Sequence, residues 1–334
     1  MNNNSLISRR EAIRRTILFS ASSLLTLRTL PALATTAPAT SFADEGIDLL
    51  ALGDYGSGNA SQTAVAKQMA TFAKRLNKPL NSVLALGDNF YGRLEMERFS
   101  RHFEDIYSRK ELNCPFYACL GNHDYGPLYD SKQGRSKAQI QLDYAAQNPA
   151  SRWKMPNRWY SVELPNPANP LVKIIFLDGN MSDWGLTPQE KIDQRKFLKT
   201  ELQKETKAPW RWIISHYPLF TETAKRSDNE RLIKEWAGNL ESNNISFYLS
   251  GHDHNLQHLQ VEGYQTSFIV TGAGGAGLYD VKESKRGYTE KILGFTHLHV
   301  GKKAVTVQFI NSEGQCLHAF RRALDGKIQV IKNA

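Results

Sequence analysis

The chain has 334 residues, with 42 Lys and Arg against 33 Asp and Glu, a formal net charge of +9 and 41% hydrophobic residues. That balance excludes a disordered or fibrous protein, and three cysteines exclude a disulfide-framework scaffold. No apolar run reaches the roughly 18 residues that span a bilayer, which excludes a multi-span membrane protein.

Residues 1–34 read as an export signal. Ser8-Arg9-Arg10-Glu11-Ala12-Ile13 is a twin-arginine pattern, an apolar, Ser-rich stretch follows from Thr16 to Leu27, and Ala32-Leu33-Ala34 is a small-x-small cleavage site. Ser41-Phe42-Ala43 offers a second cut. Residues 35–45 then form a flexible leader, and the expected location is the periplasm or the outside of the cell. The signal's five Arg and one Glu carry +4 of the +9, which leaves +5 on the other 300 residues. That mild excess permits anionic ligands. Without a basic stripe interleaved with aromatics, it does not point to nucleic acid.

From residue 46 to 322 the pattern is that of one domain, followed by a polar tail over 323–334. Strands are predicted at Ile47–Leu52, Ser82–Leu86 and Phe116–Leu120, separated by helices at Ala60–Leu76 and Glu95–Tyr107. Further strands follow at Trp159–Leu164, Val172–Leu177, Trp210–Ser215 and Ile245–Ser250, with helices at Pro188–Thr206 and Asp228–Glu241. Beyond His258 short strands alternate with turns: Ser267–Thr271, Ile292–Val300, Ala304–Ile310 and Cys316–Phe320. An α/β part followed by a β-rich part implies two sheets packed together between helices.

The residues that carry chemistry stand directly after predicted strands. They are Gly53-Asp54-Tyr55-Gly56, Gly87-Asp88-Asn89-Phe90-Tyr91, Gly121-Asn122-His123-Asp124, Ser215-His216-Tyr217-Pro218 and Gly251-His252-Asp253-His254. In open α/β sheets ligands collect at the carboxyl ends of strands, and glycines there let the backbone turn sharply. Singly, a Gly-Asp after a strand is more often a turn and a lone histidine more often a core or surface residue, while Gly251-His252-Asp253-His254 is stronger, since two histidines two apart beside Gly and Asp are a common ligand pair. Together they deliver two carboxylates, an amide, a phenol and three histidines, with His123 besides, which exceeds one tetrahedral site and suits two adjacent metal ions.

This set of motifs resembles the calcineurin-like metallophosphoesterases, and among them the purple acid phosphatases of the small tartrate-resistant type. The resemblance covers about Asp48 to Arg322. It implies an α/β/β/α fold of two mixed β-sheets between helices, and hydrolysis of phosphate monoesters at acidic pH by a metal-bridging hydroxide. Carried over residue by residue, it implies that Asp54, Tyr91 and His254 bind Fe(III). Asn122, His216 and His252 would bind a divalent metal (Fe, Zn or Mn), with Asp88 bridging. His123 would stabilise the transition state or protonate the leaving group. The implied substrate is a phosphorylated small molecule or phosphoprotein; phosphodiesters or nucleotides are the alternative on the same ligands. The implied partner is the twin-arginine export machinery, which carries folded, metal-loaded proteins. Neither stable membrane association nor nucleic-acid binding is expected, and the expected state is a monomer.

Some positions depart from that pattern. Ser215 stands where relatives commonly have Gly, and the loop Thr221–Asp228 has Lys225 and Arg226 but no histidine. Both are candidate phosphate contacts, against the alternative of a solvated loop. The segment Asp178–Pro188 is too short for the protease-sensitive loop of the mammalian form. Gly272–Gly277 matches G-x-G-x-x-G but opens no helical pattern, and reads as a glycine-rich rim of the metal site rather than a dinucleotide loop. His297 and His299 alternate on a strand face expected to be exposed. Cys119 is expected to be buried, while a pairing of Cys114 with Cys316 is left open.

Overall fold

The computed structural model describes residues 45–125, 131–182 and 185–333. The export signal and all but the last residue of the leader lie outside the described residues. In chain order the strands are β1 (Gly46–Leu52), β2 (Ser82–Ala85), β3 (Phe116–Ala118), β4 (Trp153–Lys154) and β5 (Tyr160–Leu164). Then come β6 (Val172–Phe176), β7 (Trp210–Ile214), β8 (Phe247–Ser250), β9 (Leu256–Gln260) and β10 (Ser267–Thr271). The chain ends in β11 (Gly287–Glu290), β12 (Gly294–Gly301), β13 (Ala304–Asn311), β14 (Cys316–Ala323) and β15 (Ile328–Asn333). The helices are α1 (Ala60–Leu76), α2 (Met96–Phe99, continued by a π turn Ser100–Glu104), α3 (Ser131–Gln147) and α4 (Pro188–Gln203). A broken fifth helix, α5, joins Glu230–Leu232, a π turn Ile233–Ala237 and Gly238–Ser242.

One sheet has the order β15-β14-β13-β12-β1-β2-β3-β4 and the other β11-β9-β10-β8-β7-β6-β5. β1, β2, β3 and β4 are mutually parallel, as are β6, β7, β8 and β10. The sheets pack face to face. Trp210 donates its indole N–H to the Gly301 carbonyl across the gap at 2.7 Å, and His258 stacks on Phe320 at 3.6 Å. Helix α1 covers the outer face of the first sheet, where Phe72 meets Phe295 at 5.8 Å and His297 at 4.8 Å. Helix α4 covers the second sheet, with Leu198 and Leu202 buried. It starts at a capping box of Thr187 and Glu190, with Pro188 directly after the cap, a strong local start signal. The expected α/β/β/α architecture is therefore present.

Its composition differs from an α/β half followed by a β half. The late strands β12–β15 join β1 in the first sheet, because β12 pairs antiparallel with β1 from Gly46–Gly301 to Ala51–Thr296. The expected polar tail is also structured: Gly326, at φ +87°, turns the chain and Ile328–Asn333 pairs with β14 as an edge strand. Its residues are mostly exposed, so its polar pattern reads like a tail. Helix α3 was not expected, since its sequence is polar and weakly periodic. Cys114, Cys119 and Cys316 are all buried and free, so the open pairing does not form.

His297 and His299 are buried, contrary to the expected exposed face. They point from β12 toward α1, which closes over them, and toward Asp48 on β1. The Asp48 carboxylate accepts from His297 Nε2 at 2.9 Å and His299 Nδ1 at 3.0 Å, and pairs with Lys78 at 2.6 Å. Burial pushes this carboxyl up, but the donors outweigh it and hold it well below the usual carboxylate range. Its stabilising effect is therefore full above the unfolded value of about 4 and declines as pH falls below it. Asp48→Asn is expected to cost about 3 kcal/mol at neutral pH. Denaturant midpoints should show that difference shrinking by about 1.4 kcal/mol per pH unit below about pH 4. A difference that stays constant down to about pH 3 would show that the carboxylate is not the source.

Candidate metal centre

The five motif strands end at one edge. β1, β2 and β3 run parallel in the first sheet, β7 and β8 in the second, and the two sets meet at glycines. A Cβ on Gly53 would lie 2.9 Å from the Gly251 Cα, so only glycine permits this approach of β1 to β8. Just beyond, the backbone is forced into the left-handed region at Asp54 (φ 58°), Asp88 (φ 52°) and His252 (φ 67°). Such conformations are unfavourable for residues with a Cβ and concentrate where function over-determines them.

The side chains fall into two groups. In the first, His254 Nε2 lies 3.2 Å from Asp54 Oδ1 and 3.3 Å from Tyr91 Oη, and Tyr91 Oη lies 3.4 Å from Asp54 Oδ1. In the second, Asn122 Oδ1 lies 3.0 Å from His252 Nδ1 and 3.2 Å from His216 Nε2, and those two nitrogens are 3.2 Å apart. Asp88 stands between the groups. One of its oxygens lies 3.5 Å from His216 Nε2, and its carboxylate shares a 4.8 Å cluster with Asp54 and His254. His123 is exposed beside them, its ring 4.6 Å from that of Tyr91. All seven expected ligand residues and His123 are thus brought together.

The tautomers are set from outside. His254 Nδ1 faces the Gly277 carbonyl at 2.6 Å and His216 Nδ1 the Leu86 carbonyl at 2.8 Å. Each Nδ1 is therefore the donor, and each Nε2 turns a lone pair inward.

The calcineurin-like phosphoesterase family pattern matches residues 47–256, which contain all seven candidate ligands and His123. This chain belongs to that family. Within it, the chain sorts with the purple acid phosphatases. It is 30% identical over 246 residues to purple acid phosphatase 17 of Arabidopsis thaliana, covering 69% of each chain. It is 28% identical over 302 residues to tartrate-resistant acid phosphatase type 5 of Mus musculus, covering 80% of this chain and 88% of that one. A similar fold is seen in GAP50, the anchor in the inner membrane complex of Plasmodium. There the TM-score is 0.67, the identity 22%, and the coverage 86% of this chain and 90% of that one. The fold thus also occurs in a protein described as an anchor, so the argument for hydrolysis rests on the family and the donor set.

The donor set of this phosphoesterase fits two cations. Among the described residues neither Asp54 nor Asp88 is paired with a lysine or arginine. Burial raises the Asp54 carboxyl, opposed by His216 and His254. At His216 burial lowers the pKa, but Asp88 and Asp54 outweigh it and the net shift is upward, the sign of uncompensated negative charge. Burial, then His216 and Arg226, hold His252 well below its ordinary value. Burial and the two carboxylates push the Tyr91 phenol far up, so only a strongly charged cation would ionise it.

Sequence reasoning assigned no role to Asp124, although its motif contains it. This buried carboxylate accepts from the backbone N–H groups of Asn89 (3.1 Å), Phe90 (3.1 Å) and Gly121 (2.9 Å), and from the side chains of Asn89 (3.2 Å) and Gln141 (3.1 Å). It binds the loop after β2 to the loop after β3. Nothing in the sequence pointed to Gln141 or Lys137 on α3. Of the two candidate phosphate contacts, Lys225 Nζ lies 3.2 Å from the centre of the Tyr279 ring, which stacks on His254 at 4.1 Å. Arg226 pairs with buried Asp253 at 2.8 Å, between the two histidines of the last motif. Both therefore stand against the outside of the donor set. The rim assigned to Gly272–Gly277 is present: a Cβ on Gly272 would lie 2.7 Å from Asp54 Oδ2.

Proposed function

We propose that this phosphoesterase is an exported acid phosphatase that hydrolyses phosphate monoesters at a pair of metal ions, one Fe(III) and one divalent. The observation that carries the reading is the convergence of atoms that can ligate metal. Asn122 Oδ1 and two inward-facing histidine nitrogens lie within 3.2 Å of one another, and a second set forms around Asp54. Amide and carboxylate oxygens and imidazole nitrogens so clustered are the ligand types that metal cations take.

Asp54, Tyr91 and His254 would hold one ion, and Asn122, His216 and His252 the other, with Asp88 between. Metal ions there supply Lewis acidity toward phosphate oxygens and hydroxide at low pH. His123, exposed above Tyr91, would protonate the departing ester oxygen. The tyrosine favours the trivalent ion, because a phenol held so far from ionisation needs the higher charge. Iron-loaded protein should therefore show a visible charge-transfer band that Tyr91→Phe removes. A band that survives the substitution would remove the phenol from the metal.

Export by the twin-arginine machinery is supported by Ser8–Ile13 and the apolar stretch after it. The curated relatives named above are acid phosphatases, which favours a phosphorylated small molecule or phosphoprotein as substrate.

The test is hydrolysis of an aryl phosphate monoester and the matching diester from about pH 4 to 9 on metal-replete protein. A monoester preference with an acidic optimum is expected. A diester preference, or an optimum above neutrality, would keep the family and overturn the acid monoesterase reading.

A further inference from the structure

Lys137 is only 5% exposed and belongs to neither group of donors. A buried ammonium is unfavourable unless its hydrogens and charge are satisfied. Here it donates to two backbone carbonyls, those of Phe90 and His123. Burial lowers its pKa, and the charges of Asp124 and Asp88 oppose that shift. Phe90 precedes Tyr91, and His123 follows Asn122. One side chain from a helix thus grips the two loops that carry the candidate ligands Tyr91 and Asn122.

The grip is most specific at His123. That residue's N–H donates to Asp88 Oδ1 at 2.8 Å, while its carbonyl accepts from Lys137. An exposed residue therefore has both backbone groups anchored to buried ionisable side chains. A loop tip without such anchors opens readily, since exposed segments with few buried contacts have the lowest local stability. The carbonyl of exposed His123 does not need a lysine for its own sake, because water or a neutral donor satisfies such a group without burying a charge. The Phe90 carbonyl belongs to a fully buried residue and is reached by Lys137 within the core.

We propose that Lys137 is a positioning residue: by holding the His123 and Phe90 carbonyls it fixes the His123 ring against Tyr91. The idea deepens the phosphatase reading, and its kinetic consequence rests on that reading. Its structural consequence does not.

The experiment compares the metal-loaded wild type with Lys137→Met, His123→Ala and the double variant, with Lys137→Arg as the conservative replacement. Three quantities are read: amide hydrogen exchange of residues 121–125, metal per chain, and kcat and KM on an aryl phosphate. Lys137→Met is expected to speed exchange of residues 121–125 about tenfold with metal content unchanged. It should lower kcat about tenfold with KM within about twofold, and Lys137→Arg should recover most of the loss. With His123→Ala already in place, adding Lys137→Met should change kcat less than about twofold, because the two residues act through one group. Unchanged exchange, or kinetic effects that multiply in the double variant, would overturn the proposal. If Lys137→Met does not fold, Lys137→Gln carries the test, since its amide is too short to reach both carbonyls. Faster exchange in Lys137→Met, where the wild type itself shows no phosphatase activity, would overturn the functional reading and leave the positioning role standing.

Discussion

Asp88→Ala is expected to release both metal ions and to abolish hydrolysis. The carboxylate lies between the two donor groups, 3.5 Å from His216 Nε2 on one side and within the 4.8 Å cluster of Asp54 and His254 on the other. Each group keeps three donors without it, but the two then lose the anion that faces both. Asp88 is also strained into place at φ 52° and packed so tightly that a Cβ on Gly121 would lie 2.3 Å from its Oδ1. Alanine leaves the His123 N–H without its acceptor as well. Loss of an outer partner of a metal ligand costs about 10–100-fold, so loss of a shared ligand should exceed about 100-fold in kcat/KM. Elemental analysis after gel filtration should find less than about one metal ion per chain where the wild type holds about two. A variant that retains both ions would show that Asp88 is not shared.

The second large effect is expected at Asp124, and it is one of folding rather than of chemistry. Asp124→Ala leaves three backbone N–H groups and two side-chain amides facing an empty buried space. It also leaves the Lys137 ammonium without the charge that most strongly opposes the effect of its burial. Breaking a buried charged network by removing one partner costs about 3–5 kcal/mol. A domain of this size loses about 2–4 °C in Tm per kcal/mol, so a fall of roughly 10 °C is expected. Asp124→Asn should recover only part of it, since its amide N–H₂ would meet other donors. Thermal melts of metal-free protein separate this from metal loss. An unchanged melt would mean that the two loops are held by other contacts.

These two carboxylates differ in how legible they were. Asp88 was identifiable because a ligand after a buried strand is a local pattern: an apolar run, a glycine, then a donor. The same holds for Asp54, Asn122 and His252, with His254 two positions further on; His216 follows Ser215 in place of the glycine, and Tyr91 was identifiable through the family it resembles. Asp124 stood in the motif without an assignment, because its role consists of donors from three separate segments. Lys225 and Arg226 were noticed for their charge, yet their positions depend on Tyr279 and Asp253, which no spacing links to them.

The sequence by itself determined the strand–glycine–donor units, the helix starts and the family, because each depends on residues a few positions apart. Only the tertiary structure decided what lies between these units. The division of seven ligands into two groups depends on β1 and β8 meeting at Gly53 and Gly251, about 200 residues apart in the chain. The burial of His297 and His299 depends on α1 closing over β12. The grip of Lys137 depends on a helix whose polar sequence carries little periodicity. Short-range preferences select turns and local elements. Burial and charge pairing are properties of the closed core, and they exist only once distant strands have joined.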